Sequence, residues 1–131
     1  MRDIVMEIYN VLIADAYVAE HVGASNIKFY AYPEVGDINS PYIVIDEIDG
    51  TLPVEYADDK MLRESELIQL DVYTVRDRIL CKNLDEHIKQ IIWDELGMYN
   101  TSNSKPEYDK DYKIYRRASR FEGAFYNEKI N

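Results

Sequence analysis

Residues 66–96 constrain the fold most, because the apolar period changes there from about 2 to about 3.6 within a few residues. In Glu66-Leu67-Ile68-Gln69-Leu70-Asp71-Val72-Tyr73-Thr74, Ile68, Leu70 and Val72 fall on one side and Gln69, Asp71 and Tyr73 on the other. From about Asp77, Leu80, Leu84, Ile88, Ile91 and Leu96 then recur at helical spacing, and Gly97 supplies a stop. Neither a one-faced strand nor a one-striped helix buries its apolar side alone, so the pair calls for a helix layer on a sheet.

The flanking text extends this plan. Ile4, Ile8, Val11, Leu12 and Val18 predict one amphipathic helix from roughly Asp3 to Glu20, ended before Gly23. Ile27-Lys28-Phe29-Tyr30-Ala31 reads as a short strand, closed by Pro33 and the turn-rich Gly36-Asp37-Ile38-Asn39-Ser40. Pro41 leads into Tyr42-Ile43-Val44-Ile45-Asp46-Glu47-Ile48, a β-branched run suited to a well-buried strand, which Asp49-Gly50 breaks. The polar stretch from there to Arg63 is long for a link between strands and predicts an extended hairpin arm or lid over about residues 49–63. Asn100 to Asp111 reads as a loop, and Tyr112 to about Tyr126 as one bent strand or two short ones, with Gly123 a bulge. The expected fold class is α+β: one domain over 1–131, a small mixed or antiparallel sheet with two amphipathic helices on one face, and a long β-hairpin arm.

Composition narrows the function classes. The chain has 131 residues, 25 acidic against 15 basic, for a net charge of -10. That balance argues against conventional nucleic-acid binding, which needs cations to displace counterions from phosphate. No apolar run approaches the roughly 20 residues of a membrane span, and Met1-Arg2-Asp3 does not begin a signal-peptide core. A single cysteine, Cys81, excludes an internal disulfide framework and suits a reducing compartment. The charge is uneven: residues 1–104 hold 20 acids and 8 bases, whereas residues 105–131 hold 5 acids and 7 bases. Arg116, Arg117 and Arg120 concentrate the positive charge; Glu55, Asp58 and Asp59 make the arm acidic, with Tyr56 among them. Such a division suits self-association or docking on an acidic partner, and the 12 tyrosines suit surfaces that become half-buried against one.

The chemistry-bearing residues form no recognisable catalytic set. His21 and His87 are far apart in sequence; His87, between Leu84 and Ile88, reads as a satisfied, partly buried residue, and Cys81 as a small apolar one. No phosphate loop or nucleophile elbow is present, and Ser119 has no activating neighbour in sequence. Asp46, Glu47, Asp49 and Asp71 could together hold a divalent cation. Against that, no lysine lies two residues beyond Glu66 or Asp71, and alternating strand carboxylates ordinarily belong to a solvated face. The expectation is no catalytic residue, no cofactor and no metal.

Taken in order, these pieces resemble the tail-terminator or tail-completion (head–tail joining) proteins of long-tailed bacteriophages. The likeness rests on the first helix leading to Ile27-Lys28-Phe29-Tyr30 and on the proline-led Pro41-Tyr42-Ile43-Val44-Ile45. It continues in the strand Ile68-Gln69-Leu70-Asp71-Val72-Tyr73, with its glutamine, aspartate and aromatic at alternate positions, which feeds the second helix. Tyr112-Lys113-Ile114-Tyr115-Arg116 and Arg120-Phe121 resemble the closing strands. The acidic arm has no residue-by-residue counterpart in that pattern. The resemblance implies a non-enzymatic structural subunit of a phage or prophage. It would form a ring, hexameric by that likeness, that caps the tail tube and meets the head-completion or connector protein. Its place would be the virion tail, and the host bacterial cytoplasm during assembly. A ring needs two different patches per subunit, and the acidic arm (Glu55, Tyr56, Asp58, Asp59) and the basic strand (Arg116, Arg117, Arg120) are the expected ones. An alternative of another class is an acidic DNA mimic that occupies the cationic groove of a DNA-binding enzyme; the basic C-terminal segment counts against it.

Overall fold

In a computed structural model, which describes residues 3–57 and 60–126, the first apolar stripe forms two helices where the spacing predicts one. Helix α1 spans Ile4–Ala14 and α2 spans Ala16–His21, parted at Asp15, whose backbone is extended (φ −80°, ψ 127°). The cause is chemical. A short carboxylate competes with the helix ladder by bonding nearby backbone, and Asp15 Oδ2 accepts the Val18 N–H at 3.1 Å, capping α2. The same carboxylate lies 2.8 Å from His87 Nε2, so the break also ties the N-terminal helices to the third. Helix α3, Arg78–Leu96, follows its predicted bounds. Asp77 Oδ1 accepts the Leu80 N–H at 2.9 Å, and Gly97 ends the helix in the left-handed region (φ 66°), which a side chain would strain.

The strands are β1 (Ile27–Phe29), β2 (Tyr42–Ala57), β3 (Lys60–Val75), β4 (Tyr99–Asn103), β5 (Glu107–Asp109) and β6 (Ile114–Tyr126). They form one mixed sheet in the order β1-β2-β3-β6-β4, with β5 also pairing with β6. Only β1 and β2 are parallel; every other pairing is antiparallel. The fold is therefore α+β, as the periodicities predict. Two local expectations are corrected. The stretch predicted as a loop between Asn100 and Asp111 contains β4 and β5, since pairing along an edge uses backbone groups and needs no apolar period; β4 is exposed at every residue. Nor is Gly123 a bulge: β6 is one strand whose register against β3 is unbroken from Arg63↔Tyr126 to Val75↔Ile114. The irregularities fall instead in the β2–β3 pairing, between Glu47 and Tyr56, and in β4, between Asn100 and Ser102.

All three helices lie on one face of the sheet. Ile8, Leu12, Val18, Leu84, Ile88 and Ile92 bury against Ile43, Ile45, Ile68, Leu70, Val72 and Phe121. Each such side chain contributes about 1.5–3 kcal/mol on burial, so this layer dominates the stability. A smaller apolar cluster of Ile38, Val44, Tyr73 and Ile114 occupies the opposite face, where residues 33–41 cross it and Ile38 plugs it. Beyond this core the β2–β3 pairing continues through Leu52↔Ser65 and Glu55↔Arg63 to Ala57↔Lys60, making the predicted long hairpin. Among the described residues, no helix is long and apolar enough to cross a membrane.

Candidate functional site

Strand alternation separates the three arginines that the sequence places together. Opposite Val72, Arg117 faces the helix layer, where its Nη1 lies 3.8 Å from Asp85 Oδ2 of α3. Opposite Tyr73 and Gln69, Arg116 and Arg120 face the helix-free side. Arg116 is a strut within the chain. Its Nε and Nη2 donate to Asp71 Oδ2 at 2.8 and 2.5 Å, and its Nη1 donates to Glu107 Oε2 at 2.9 Å. Burial opposes the guanidinium charge, but the hydrogen bond and charge of Asp71, joined by Glu107, outweigh it and raise the arginine pKa above its ordinary value. Arg120 differs: its Nε donates to the neutral Gln69 Oε1 at 3.1 Å, and no carboxylate pairs with it among the described residues.

Of the carboxylates expected on a solvated face, Glu47 is exposed and Asp46 partly so, whereas Asp71 is not. Asp71 is fully buried, its second oxygen accepting from Gln69 Nε2 at 2.8 Å, so neither oxygen is left without a donor. Asp46 Oδ2 accepts from the Tyr32 hydroxyl at 2.7 Å and Glu47 Oε1 from the Tyr30 hydroxyl at 2.9 Å. Partial burial, reinforced by the hydrogen bond and negative charge of Glu47, pushes Tyr30 up to about 12; burial and Asp46 raise Tyr32 further. These phenols answer the carboxylates locally, and among the described residues no group of three or more metal-ligating side chains converges. The Asp49 side chain lies outside the described ones.

Distant residues meet elsewhere. Tyr17 stacks on His21 at 4.3 Å between ring centres and tilts against His87 at 4.8 Å, so one phenol joins the two histidines. The Tyr17–His21 spacing of one helical turn carried half of that signal in the sequence; the His87 half is tertiary. Burial of Asp15 opposes its charge, yet the Val18 N–H and His87 prevail and leave its pKa below 3.8. Ser119, without an activating neighbour in sequence, donates to Asp85 Oδ1 at 2.7 Å; both are buried, and Lys89 lies 3.0 Å from Asp85. This cluster fastens α3 to β6. Burial pushes the Cys81 thiol up to about 11, which suits packing rather than nucleophilic chemistry.

Between β4 and β6 on the helix-free face is a polar cleft of about 340 Å³, lined by Gln69, Ser102, Asn103, Ser104, Arg116 and Arg120 among others. Beside it, Asn100 Nδ2 donates to the Arg120 carbonyl at 2.9 Å and to the Ser102 carbonyl at 3.2 Å, tying β4 to β6. Of the predicted arm residues, Glu55 pairs with Arg63 and Tyr56 with Met61 along the hairpin backbone. Their side chains, and all of Asp58 and Asp59, lie outside the described residues.

No family model matches this chain, and no curated protein does. Eighteen solved chains resemble it. One, which carries a sequence identifier in place of a functional name, aligns over 97% of this chain and 96% of its own at TM-score 0.57 and 8% identity. At that identity the likeness is one of fold.

Proposed function

We propose that this chain is a tail-terminator-like assembly protein of a long-tailed phage or prophage. In this reading it is a non-enzymatic subunit that closes into a hexameric ring on the tail tube and offers the surface met by the head connector. Its place is the virion tail, after assembly in the host cytoplasm. The observation that supports this most is the β2–β3 hairpin, two paired strands of 16 residues each that run well past the helix-covered core. From Gln69, beside the core, to Lys60 is nine strand steps, roughly 30 Å at about 3.3 Å per residue. Strand β6 stays paired to this arm as far as Arg63, which stiffens it. An isolated domain gains little from such an arm, whereas a ring uses it to lay one surface of each subunit on a different surface of the next.

The test is native mass measurement of the full chain and of a variant in which residues 53–64 are replaced by a two-residue Asn-Gly turn, which joins the paired Leu52 and Ser65. A hexamer for the full chain and a folded monomer for the variant are expected. A full chain that stays monomeric at the highest soluble concentration overturns the reading. Addition to tail tubes assembled from their purified tube protein then asks whether the ring stops their growth.

A further inference from the structure

We propose that the cleft around Arg120 is the receptor for the acidic hairpin tip of a neighbouring copy, so that Arg120 rather than Arg116 makes the charged contact between subunits. This rests on the ring reading and adds its contact chemistry. Three observations carry it.

The first is which of the three clustered arginines has no carboxylate partner among the described residues. Arg116 already serves Asp71 and Glu107, and Arg117 lies on the helix side next to Asp85. Arg120 is exposed, and its one bond, through Nε, goes to the amide oxygen of Gln69. Its two Nη groups therefore point to no carboxylate among the described residues, although the chain carries 25 acids. A guanidinium with a free two-pronged edge is the side chain best matched to a carboxylate.

The second is the cleft beside it. Ser102 and Asn103 of the edge strand β4 line the same space and supply neutral donors that can complete a carboxylate's hydrogen bonds.

The third is reach. Arg120 stands opposite Gln69, whereas the acidic tip joins Ala57 to Lys60. The tip of the same subunit is thus roughly 30 Å along the strands from its own Arg120, and the third strand prevents the arm from doubling back. Glu55, Asp58 and Asp59 can meet an Arg120 only on another copy. Each subunit then gives its tip to one neighbour and its cleft to the other, the heterologous contact that a closed ring requires.

The experiment compares assembly by native mass and light scattering for the full chain, Arg120→Glu, and Arg120→Glu combined with Asp58→Lys and Asp59→Lys. The Arg120 side chain is exposed and has a single neutral partner, so the thermal midpoint of Arg120→Glu should match that of the parent when both are melted below the concentration at which the parent assembles; this controls for folding. Raising the concentration needed for assembly by about tenfold or more in Arg120→Glu, with most of the loss recovered in the charge-swapped variant, supports the contact. Assembly of Arg120→Glu at the parent's concentration overturns this contact and leaves the ring reading standing. A loss that the swap does not recover overturns the assignment of the tip as the partner. If the parent chain does not assemble at all, the ring reading fails first and the contact with it.

Discussion

At the scale of single residues, the helix-free face is governed by one buried charge. Asp71 is fully buried, and its two oxygens accept from Arg116 and Gln69. Removing the cation alone leaves an unpaired buried carboxylate, so Arg116→Ala should destabilise the fold by about 3–5 kcal/mol, whereas Asp71→Leu with Arg116→Met should recover most of that. Urea denaturation of these two variants and the parent checks this, and equal losses in the single and double variants would contradict it. The tyrosine–carboxylate pairs give a second prediction. A phenol whose folded pKa is raised loses its proton more readily when unfolded, so its contribution is complete below about pH 10 and is lost as pH rises toward the folded value of about 12 for Tyr30. Ultraviolet titration should find Tyr30 and Tyr32 ionising after most of the 12 tyrosines. Asp46→Asn with Glu47→Gln should bring both down. The tyrosine-carboxylate pairing was not legible in the sequence, because Tyr30 reaches Glu47 and Tyr32 reaches Asp46 across the turn that follows β1.

At the scale of elements, α3 is legible in the sequence nearly to the residue and β3 only at its C-terminal end, since the strand begins at Lys60 and not at Glu66, while the α1–α2 break and β4–β5 are not legible. The difference is physical. Burial on one face imposes a period that survives in the sequence, as in Ile68, Leu70 and Val72 or Leu84, Ile88 and Ile92. A break caused by one side chain choosing a local bond, as at Asp15, leaves the apolar period intact on both sides and so is invisible to it. An exposed edge strand such as β4 has no period to read. Asp15 also carries a prediction. Its folded pKa lies below its ordinary value of 3.8, so its stabilisation is present above that value and is lost as pH falls through the lower folded pKa. Asp15→Asn keeps an acceptor for the Val18 N–H and should flatten the stability loss below about pH 4. Asp15→Ala removes the cap as well and should cost about 1–2 kcal/mol at neutral pH. Thermal melts across that range distinguish the two, and parallel acid limbs for Asp15→Asn and the parent would refute the linkage.

At the scale of the whole molecule, the net charge of -10 bears on assembly in two opposing ways. Like-charged bodies repel over tens of ångströms, but that repulsion is already screened at about 0.1 M salt, where the Debye length is about 10 Å. A contact between a guanidinium and a carboxylate spans only about 4 Å and is weakened at about 1 M, where that length is about 3 Å. The proposed assembly through Arg120 should therefore weaken between about 0.1 and 1 M salt. Light scattering that shows stronger assembly over that range would assign the dominant effect to repulsion instead. The fold class, the helix layer on one face of the sheet and the second long helix follow from the sequence by itself, since each is a consequence of burying one face of a periodic segment; the long arm follows from the length of a polar stretch between two strands, and the apolar cluster on the opposite face does not follow from the sequence. The arginines show what only tertiary structure decides. Arg116, Arg117 and Arg120 form one basic cluster in the sequence. The two-residue alternation of β6, and its pairing with β3 on one side and β4 on the other, sends Arg117 to the helices, gives Arg116 to Asp71 and leaves Arg120 beside an open cleft. Charge is a property of composition, but whether a charge is available to a partner depends on which neighbours the fold has already given it.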